Sequence, residues 1–280
     1  MCDESMDDSL DHTNVKRVGT ITEYLDAVNG CKSDLPFGKN ALFRGQGNAD
    51  YKLESTLERK GFEWLSFKEY YEWIDYHIPE INMVARRFKR QMTDETPSLP
   101  FDFSDSNLVN EWRSIPNVEL MAYLRHHGFP SPLLDVTRSE YVALYFACCD
   151  ENEKCDAKVF VFDGDFDLGD PYCDREPHLK LIGPYFDPDP RHLRQQSEYL
   201  TCLKFEEELF FVGFRPYLKT KTEKEKRIRE IVIQGDRKVG LLDELARMNI
   251  TAYTLFGDED GLIKEVGRKF CLEMGKKNSG

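Results

Sequence analysis

A chain of 280 residues can form one large domain or two small ones, and 40% hydrophobic with 12% aromatic residues exclude a disordered class. A net charge of −13 excludes holding polyanions by overall charge, so contact with DNA or RNA would need a local basic patch. Nothing in the polar, acidic first twelve residues resembles a secretory signal, so none is expected, and the longest apolar run, Tyr141 to Cys149, is far short of the ~20 residues of a membrane span.

The expected protein is soluble and cytoplasmic, without membrane attachment. It has eight cysteines but no Cys-x-x-Cys, which argues against a zinc ribbon and for reduced thiols. Residues 1–16 read as a disordered acidic tail and 17–280 as a single domain.

Ile21 to Val28 has helical spacing and stops at Gly30. Ala41-Leu42-Phe43-Arg44 reads as a short strand ending at Gly45. Residues 63–92 form a long aromatic helical stretch, broken or kinked at Pro79, and 93–107 form a loop. A helix from Asn117 to His127 stops at Gly128, which suits a left-handed cap. Phe129-Pro130-Ser131-Pro132 forces an extended entry into Leu133-Leu134-Asp135. Ser139 then caps an apolar helix through Ala147, with Cys148 and Cys149 in its core pattern.

Lys158 to Asp163, Tyr199 to Leu203 and Arg229 to Gln234 read as strands, and 164–190 as loop. The basic run Lys219 to Arg229 is interleaved with Glu223 and Glu225 and reads as a solvated helix face. Val239 to Met248 and Gly261 to Met274 are helical. Strands and helices without regular alternation predict an α+β fold.

Four segments carry candidate chemistry. In Phe43-Arg44-Gly45-Gln46-Gly47 a strand delivers an arginine fork suited to phosphate, beside glycines that permit close backbone approach. A structural arginine pairing with a carboxylate beside an ordinary turn would read the same way. His126 and His127 diverge on a helix, so they make no two-ligand metal site; one can face a cleft while the other is solvated.

Asp135, Thr137 and Ser139 alternate, so a strand would project all three from one face toward a ribose or an amide. A cap at Ser139 and a turn at Asp135 explain them equally. Gln196 and Glu198 stand two apart at the start of a strand, where a carboxylate could stabilise an oxocarbenium-like centre.

Phe43-Arg44-Gly45-Gln46, Tyr51-Lys52-Leu53 with Leu57 and Arg59, His126-His127-Gly128, and Leu133 to Ser139 with Ala143-Leu144-Tyr145-Phe146-Ala147 together resemble the FRG domain family. Leu255-Phe256-Gly257-Asp258 and Asp260-Gly261-Leu262 fit it too, so the resemblance runs from Thr20 to Arg268. Residues 17–280 are therefore expected to be one FRG-type domain. A more distant resemblance is to Arg-Ser-Glu type ADP-ribosyltransferases. Phe43-Arg44-Gly45 is similar to their aromatic-Arg-Gly strand, and Asp135 to Ser139 with Ala143 and Phe146-Ala147 to their Ser-Thr-Ser strand and helix. Gln196-Ser197-Glu198 is similar to their Gln-x-Glu, with Asp135 standing where serine is usual.

The resemblance implies an ADP-ribosyltransferase-like split β-sheet core with surrounding helices, two short sheets and a cleft for NAD between them. It implies NAD-dependent transfer of ADP-ribose to a macromolecular acceptor, protein, DNA or RNA, in a toxin or antiviral defence effector. Glu198, Gln196 and Arg44 would be catalytic, and Arg44, Gly45, Gln46, His127, Asp135, Thr137 and Ser139 would bind NAD, with no metal required. Two alternatives stand beside it: a non-catalytic nucleotide- or nucleic-acid-sensing module, and a metal-dependent nuclease using His126 or His127, Asp135 and Glu198.

Overall fold

The computed structural model describes residues 16–32, 41–84, 118–149, 155–162, 177–183, 190–220 and 228–278. The expected tail up to residue 15, the loop at 93–107 and most of the loop at 164–190 lie outside them. So does the centre of the basic run, residues 221–227.

The fold is α+β, built on one nine-stranded sheet. In chain order the strands are β1 (Lys16–Val18), β2 (Leu42–Gln46), β3 (Trp64–Ser66), β4 (Leu134–Thr137), β5 (Ala157–Phe162), β6 (His178–Ile182), β7 (Ser197–Glu206), β8 (Glu208–Val212) and β9 (Ile228–Ile233). The helices are α1 (Ile21–Lys32), α2 (Phe67–Val84), α3 (Val118–His126), α4 (Glu140–Cys148), α5 (Pro190–Gln195), α6 (Phe214–Thr220), α7 (Lys238–Arg247), α8 (Ala252–Phe256) and α9 (Glu259–Asn278).

Strand order is β1-β9-β5-β2-β4-β7-β8-β3, with β6 on the free edge of β7. Two separate short sheets were expected from the transferase resemblance; instead the strands form one sheet with a waist. β2 pairs with β5 over five residues but with β4 only at Phe43↔Thr137. β7 is long enough to pair with β4 through Ser197 to Leu200 and with β8 further on, through Cys202 to Glu206.

Local chemistry sets several boundaries. Residues 63–66 leave the expected long helix because Ser66 and Glu69 form a reciprocal cap. Ser66 Oγ accepts from the Glu69 N–H (3.1 Å) and the Glu69 carboxylate from the Ser66 N–H (3.3 Å). The helix therefore starts at Phe67, and Trp64–Ser66 pair with β8. Pro79 lies inside α2. Thr20 and Glu23 cap α1 in the same reciprocal way, and α1 continues past Gly30 to Lys32.

Gly128 adopts φ +87° just beyond α3, as the cap expected there requires. β3 falls in the stretch expected to be helix and β6 in the stretch expected to be loop, and both are strands because they pair with β8 and β7; β1 and β8 are strands the sequence pattern left unassigned.

Helices α1, α4, α7 and α8 cover one face of β1, β2, β5 and β9 in a core around Tyr24, Phe43, Val159 and Ile233. α2 and α3 cover β7 and β8 around Phe67, Met121, Tyr199 and Phe211. A third cluster, Leu42, Leu134, Phe160, Leu200 and Phe214, fills the other side of the central strands. Cys148 belongs to the core, whereas Cys149, expected there too, is exposed beyond the end of α4. No helix among the described residues is long and apolar enough to cross a membrane.

Candidate functional site

The waist between β2 and β4 opens into a cavity of about 450 Å³. Its charged walls are Arg44 from β2, Arg125 from α3, Asp135 from β4 and Arg191 from α5. His126, His192 and Tyr199 form a polar cluster in it, and Phe146 and Phe256 an aromatic edge.

Arg44 sits mid-strand, held opposite Phe160 of β5, with its side chain 15% exposed. Its Nη1 donates to the Asp135 carbonyl at 2.8 Å and lies 3.8 Å from the Asp135 carboxylate. Burial pulls its pKa down to about 10, against the pull of Asp135, so the group keeps its charge at neutral pH. Arg44 Nε is buried without a hydrogen-bond partner among the described residues.

Asp135 is gripped from the other side by Arg125. Arg125 Nε donates to Oδ1 at 2.9 Å, and its Nη2 pairs with Oδ2. Packing around the Asp135 carboxyl would raise its pKa, but Arg125 and then Arg44 outweigh that and hold it down to about 2.

Gly45 lines the cavity, but its small size serves packing. A Cβ there would stand 2.0 Å from the Ala143 carbonyl oxygen and 2.6 Å from the Ala147 nitrogen. The close approach is to the α4 backbone, not to a ligand. Gln46 donates from Nε2 to the Lys52 carbonyl (3.4 Å) and does not line the cavity.

Thr137 lines the cavity, but its hydroxyl is engaged: Oγ1 donates to the Gln195 carbonyl (2.6 Å) and accepts from the Ser139 N–H (3.0 Å). Ser139 stands outside the cavity and caps α4, accepting from the Val142 N–H at 3.3 Å. Such a cap stabilises the helix by about 1 kcal/mol.

The two histidines separate as expected on a helix, but His126 is the one in the wall. His127 is exposed and lies against the Tyr123 ring, 4.4 Å between centroids. His126 meets His192 of α5, Nε2 to Nε2 at 3.0 Å. The Tyr199 hydroxyl stands 3.0 Å from His126 Nε2 and 2.7 Å from His192 Nε2. Arg191, next to His192, pairs with Asp258 (2.5 Å) and lies over the Phe256 ring at 6.0 Å. Phe146 meets Phe256 edge-on at 6.1 Å.

Glu198 and Gln196 are placed elsewhere. Alternation along β7 gives Ser197 and Tyr199 to the cavity and turns Glu198 to the opposite face, beside Val136 of β4. There Glu198 is 1% exposed and ion-paired with Arg138. Gln196 is not in the strand; it is exposed in the turn before β7 at φ +48° and does not line the cavity. The metal-nuclease set of His126 or His127, Asp135 and Glu198 therefore does not converge. Among the described residues no group of three or more His, Cys, Asp or Glu side chains gathers to hold a metal ion.

Sequence reasoning passed over Arg125, Arg191, His192 and Tyr199 as site residues. The signal was a repeated dipeptide, Arg125-His126 and Arg191-His192, each bringing a guanidinium and an imidazole to the same cavity.

Residues 39–156 match the family model of the FRG domain. The match supports the FRG resemblance over these residues, which hold the motifs at 43–59, 126–128 and 133–147. The FRG segment holds β2, α3, β4 and α4, with Arg44, Arg125, His126 and Asp135. It ends before α5 and β7, which supply Arg191, His192, Ser197 and Tyr199, so the cavity extends beyond the FRG segment itself. No curated protein and no solved structure matches the chain.

Proposed function

We propose that the cavity binds a nucleotide of the NAD class, phosphates toward its arginines, and that the protein transfers ADP-ribose from NAD to a macromolecular acceptor. One observation carries this reading: in a chain of net charge −13, the cavity walls bear three arginines and a single carboxylate. Such a local excess of guanidinium groups selects anions, and its planar forks suit phosphate. Arg44 lines the cavity and keeps its charge, and the Phe146–Phe256 edge gives an apolar seat for a ring.

The transfer step needs a carboxylate near the ribose as positive charge develops on C1′. Glu198 faces away, so this role falls to Asp135, which lies in the wall and stays ionised.

A second reading, a non-catalytic nucleotide sensor, is favoured by the same carboxylate, since Arg125 and Arg44 already hold its charge. The test is NAD binding by calorimetry beside nicotinamide release. Arg44→Ala is expected to weaken NAD binding at least about tenfold. Asp135→Asn is expected to lower turnover about a hundredfold, by analogy with losing one well-placed electrostatic group, and Glu198→Gln to leave it unchanged. Wild-type protein that binds NAD without releasing nicotinamide is the sensor; protein that binds no nucleotide sinks both readings.

A further inference from the structure

Helix α9 is mounted with its apolar side outward. Polar contacts fix its rotation. Asp258, just before the helix, accepts from the Gly261 N–H at 2.8 Å and pairs with Arg191 at 2.5 Å. Arg268 donates from Nη1 to Asp243 of α7 at 2.6 Å and from Nη2 to Glu265 at 3.0 Å. Gly261 is buried against α8, where a Cβ would stand 2.8 Å from the Ala252 carbonyl oxygen.

At about 100° per residue, Gly261, Glu265 and Arg268 share one face of α9, and Ile263, Val266, Phe270 and Met274 share the opposite one. Those four are 68%, 55%, 62% and 41% exposed and join none of the three core clusters among the described residues. An amphipathic helix ordinarily turns its apolar stripe toward the body of the protein. Here charged and small residues hold the body, and the stripe is presented outward, the pattern of an interaction surface.

We propose that this stripe pairs with the same stripe of a second copy of the chain, as an antiparallel helix pair about a two-fold axis near Gly267. The pairing is independent of what the cavity binds.

Charge along α9 is self-complementary. The helix opens with Glu259-Asp260 and closes with Lys276-Lys277 before Asn278. Antiparallel alignment sets each acidic start beside a basic end and opposes the two helix dipoles, whereas parallel alignment sets like beside like. Two-fold symmetry makes each such contact twice. Near the crossing, a Cβ on Gly267 would meet nothing within 4 Å, so this position leaves room for a second backbone. Val266 of each copy then faces Phe270 of the other. A lipid surface is a poorer partner, because its negative headgroups would face a chain of net charge −13.

The helix has 20 residues and is therefore about 30 Å long. An antiparallel pair alone buries on the order of 500 Å² per copy, the class of weak, reversible interfaces, so monomer and dimer are expected to exchange at about 10 µM.

The experiment is sedimentation velocity on the full chain from about 1 to 200 µM, a range that spans a weak interface, with reductant present because Cys271 is exposed. Wild type is expected to shift from monomer to dimer across that range. Phe270→Glu and Val266→Glu are expected to weaken association at least about tenfold with unchanged circular dichroism, since both side chains are exposed in the single chain. Tyr76→Glu, on the equally exposed Tyr76 of α2, is expected to dimerise like wild type. Glu259→Lys with Asp260→Lys is expected to weaken the dimer about fivefold, and adding Lys276→Glu with Lys277→Glu to restore it. Wild type that stays monomeric throughout overturns the proposal, as does a dimer untouched by Phe270→Glu and Val266→Glu. Loss without recovery in the charge-swapped variant overturns the antiparallel arrangement. Monomers that instead co-sediment with phosphatidylcholine–phosphatidylserine vesicles through Phe270 make the stripe a membrane surface and overturn the second copy.

Discussion

Lys158 on β5 and Glu230 on β9 form a balanced pair, with Lys158 Nζ 3.3 Å from both carboxylate oxygens and the side chains 10% and 8% exposed. The network at the cavity, in the same sheet, is unbalanced. Arg44 and Arg125 share one Asp135 carboxylate, and Arg44 keeps a buried Nε–H without a partner. A balanced pair satisfies itself and leaves nothing for a ligand. An unbalanced one costs more to maintain, because desolvated charge is only partly offset, and what remains uncompensated is available to an anion. The difference separates a charged network that holds strands together from one that holds something else.

Removing the shared carboxylate should break that contrast most sharply. Asp135→Asn leaves Arg44 and Arg125 packed together without a counter-charge. A cost of about 2 kcal/mol is expected, below that of a fully buried pair because the Asp135 side chain is 45% exposed. Denaturant melts in the absence of nucleotide measure it, and added NAD should recover less of the loss than it adds to wild type.

Acid should act on the same group. The folded pKa of Asp135 is depressed to about 2, below the ordinary 3.8, so its contribution is complete above about pH 4 and is lost as pH falls toward 2. Urea midpoints between pH 5 and 2 should fall more steeply for wild type than for Asp135→Asn, and parallel curves would mean that the arginines do not hold this carboxylate.

The balanced pair should tolerate replacement. Lys158→Met combined with Glu230→Met is expected to change stability by no more than about 1 kcal/mol and NAD binding not at all, since apolar groups of similar size often replace a buried pair at little cost. A large loss of binding would erase the distinction between the two networks.

The smallest effect concerns thiols. Burial pushes the Cys148 thiol up to about 12, while Cys149 is exposed. Brief alkylation of the native chain at pH 8 is expected to label Cys149 and leave Cys148 unmodified, read by mass spectrometry; equal labelling of both would place α4 off the sheet.

The sequence pattern made the α+β class, β2, α4 and its Ser139 cap legible, because periodicity, caps and glycines act locally. The edge strands β3 and β6, and β8 beside β3, were not legible. Trp64–Ser66 adjoins an aromatic helical run, and only the Ser66–Glu69 cap separates the two. His178–Ile182 and Glu208–Val212 are short, and their strand character comes from pairing with β7.

At the site, Arg44, Asp135 and Thr137 were singled out because a strand presents them to one place. His192 and Arg191 were not, since their place depends on how α5 is carried to β4. Glu198 illustrates the reverse limit. Its two-residue spacing from Gln196 implied a shared face only if both lay in the strand, and the left-handed turn at Gln196 removes that premise.

The waist of the sheet has a mechanical consequence. β1, β9, β5 and β2 form one half and β4, β7, β8, β3 and β6 the other, joined in the sheet between β2 and β4 by the Phe43↔Thr137 pair. Arg44 belongs to the first half and Tyr199 to the second, so a molecule touching both lies across the seam. It would fasten the halves as a rivet joins two plates, turning a compliant joint into a stiff one. Occupancy of the cavity would then be felt at the far edges of the sheet, well away from any atom that touches the ligand.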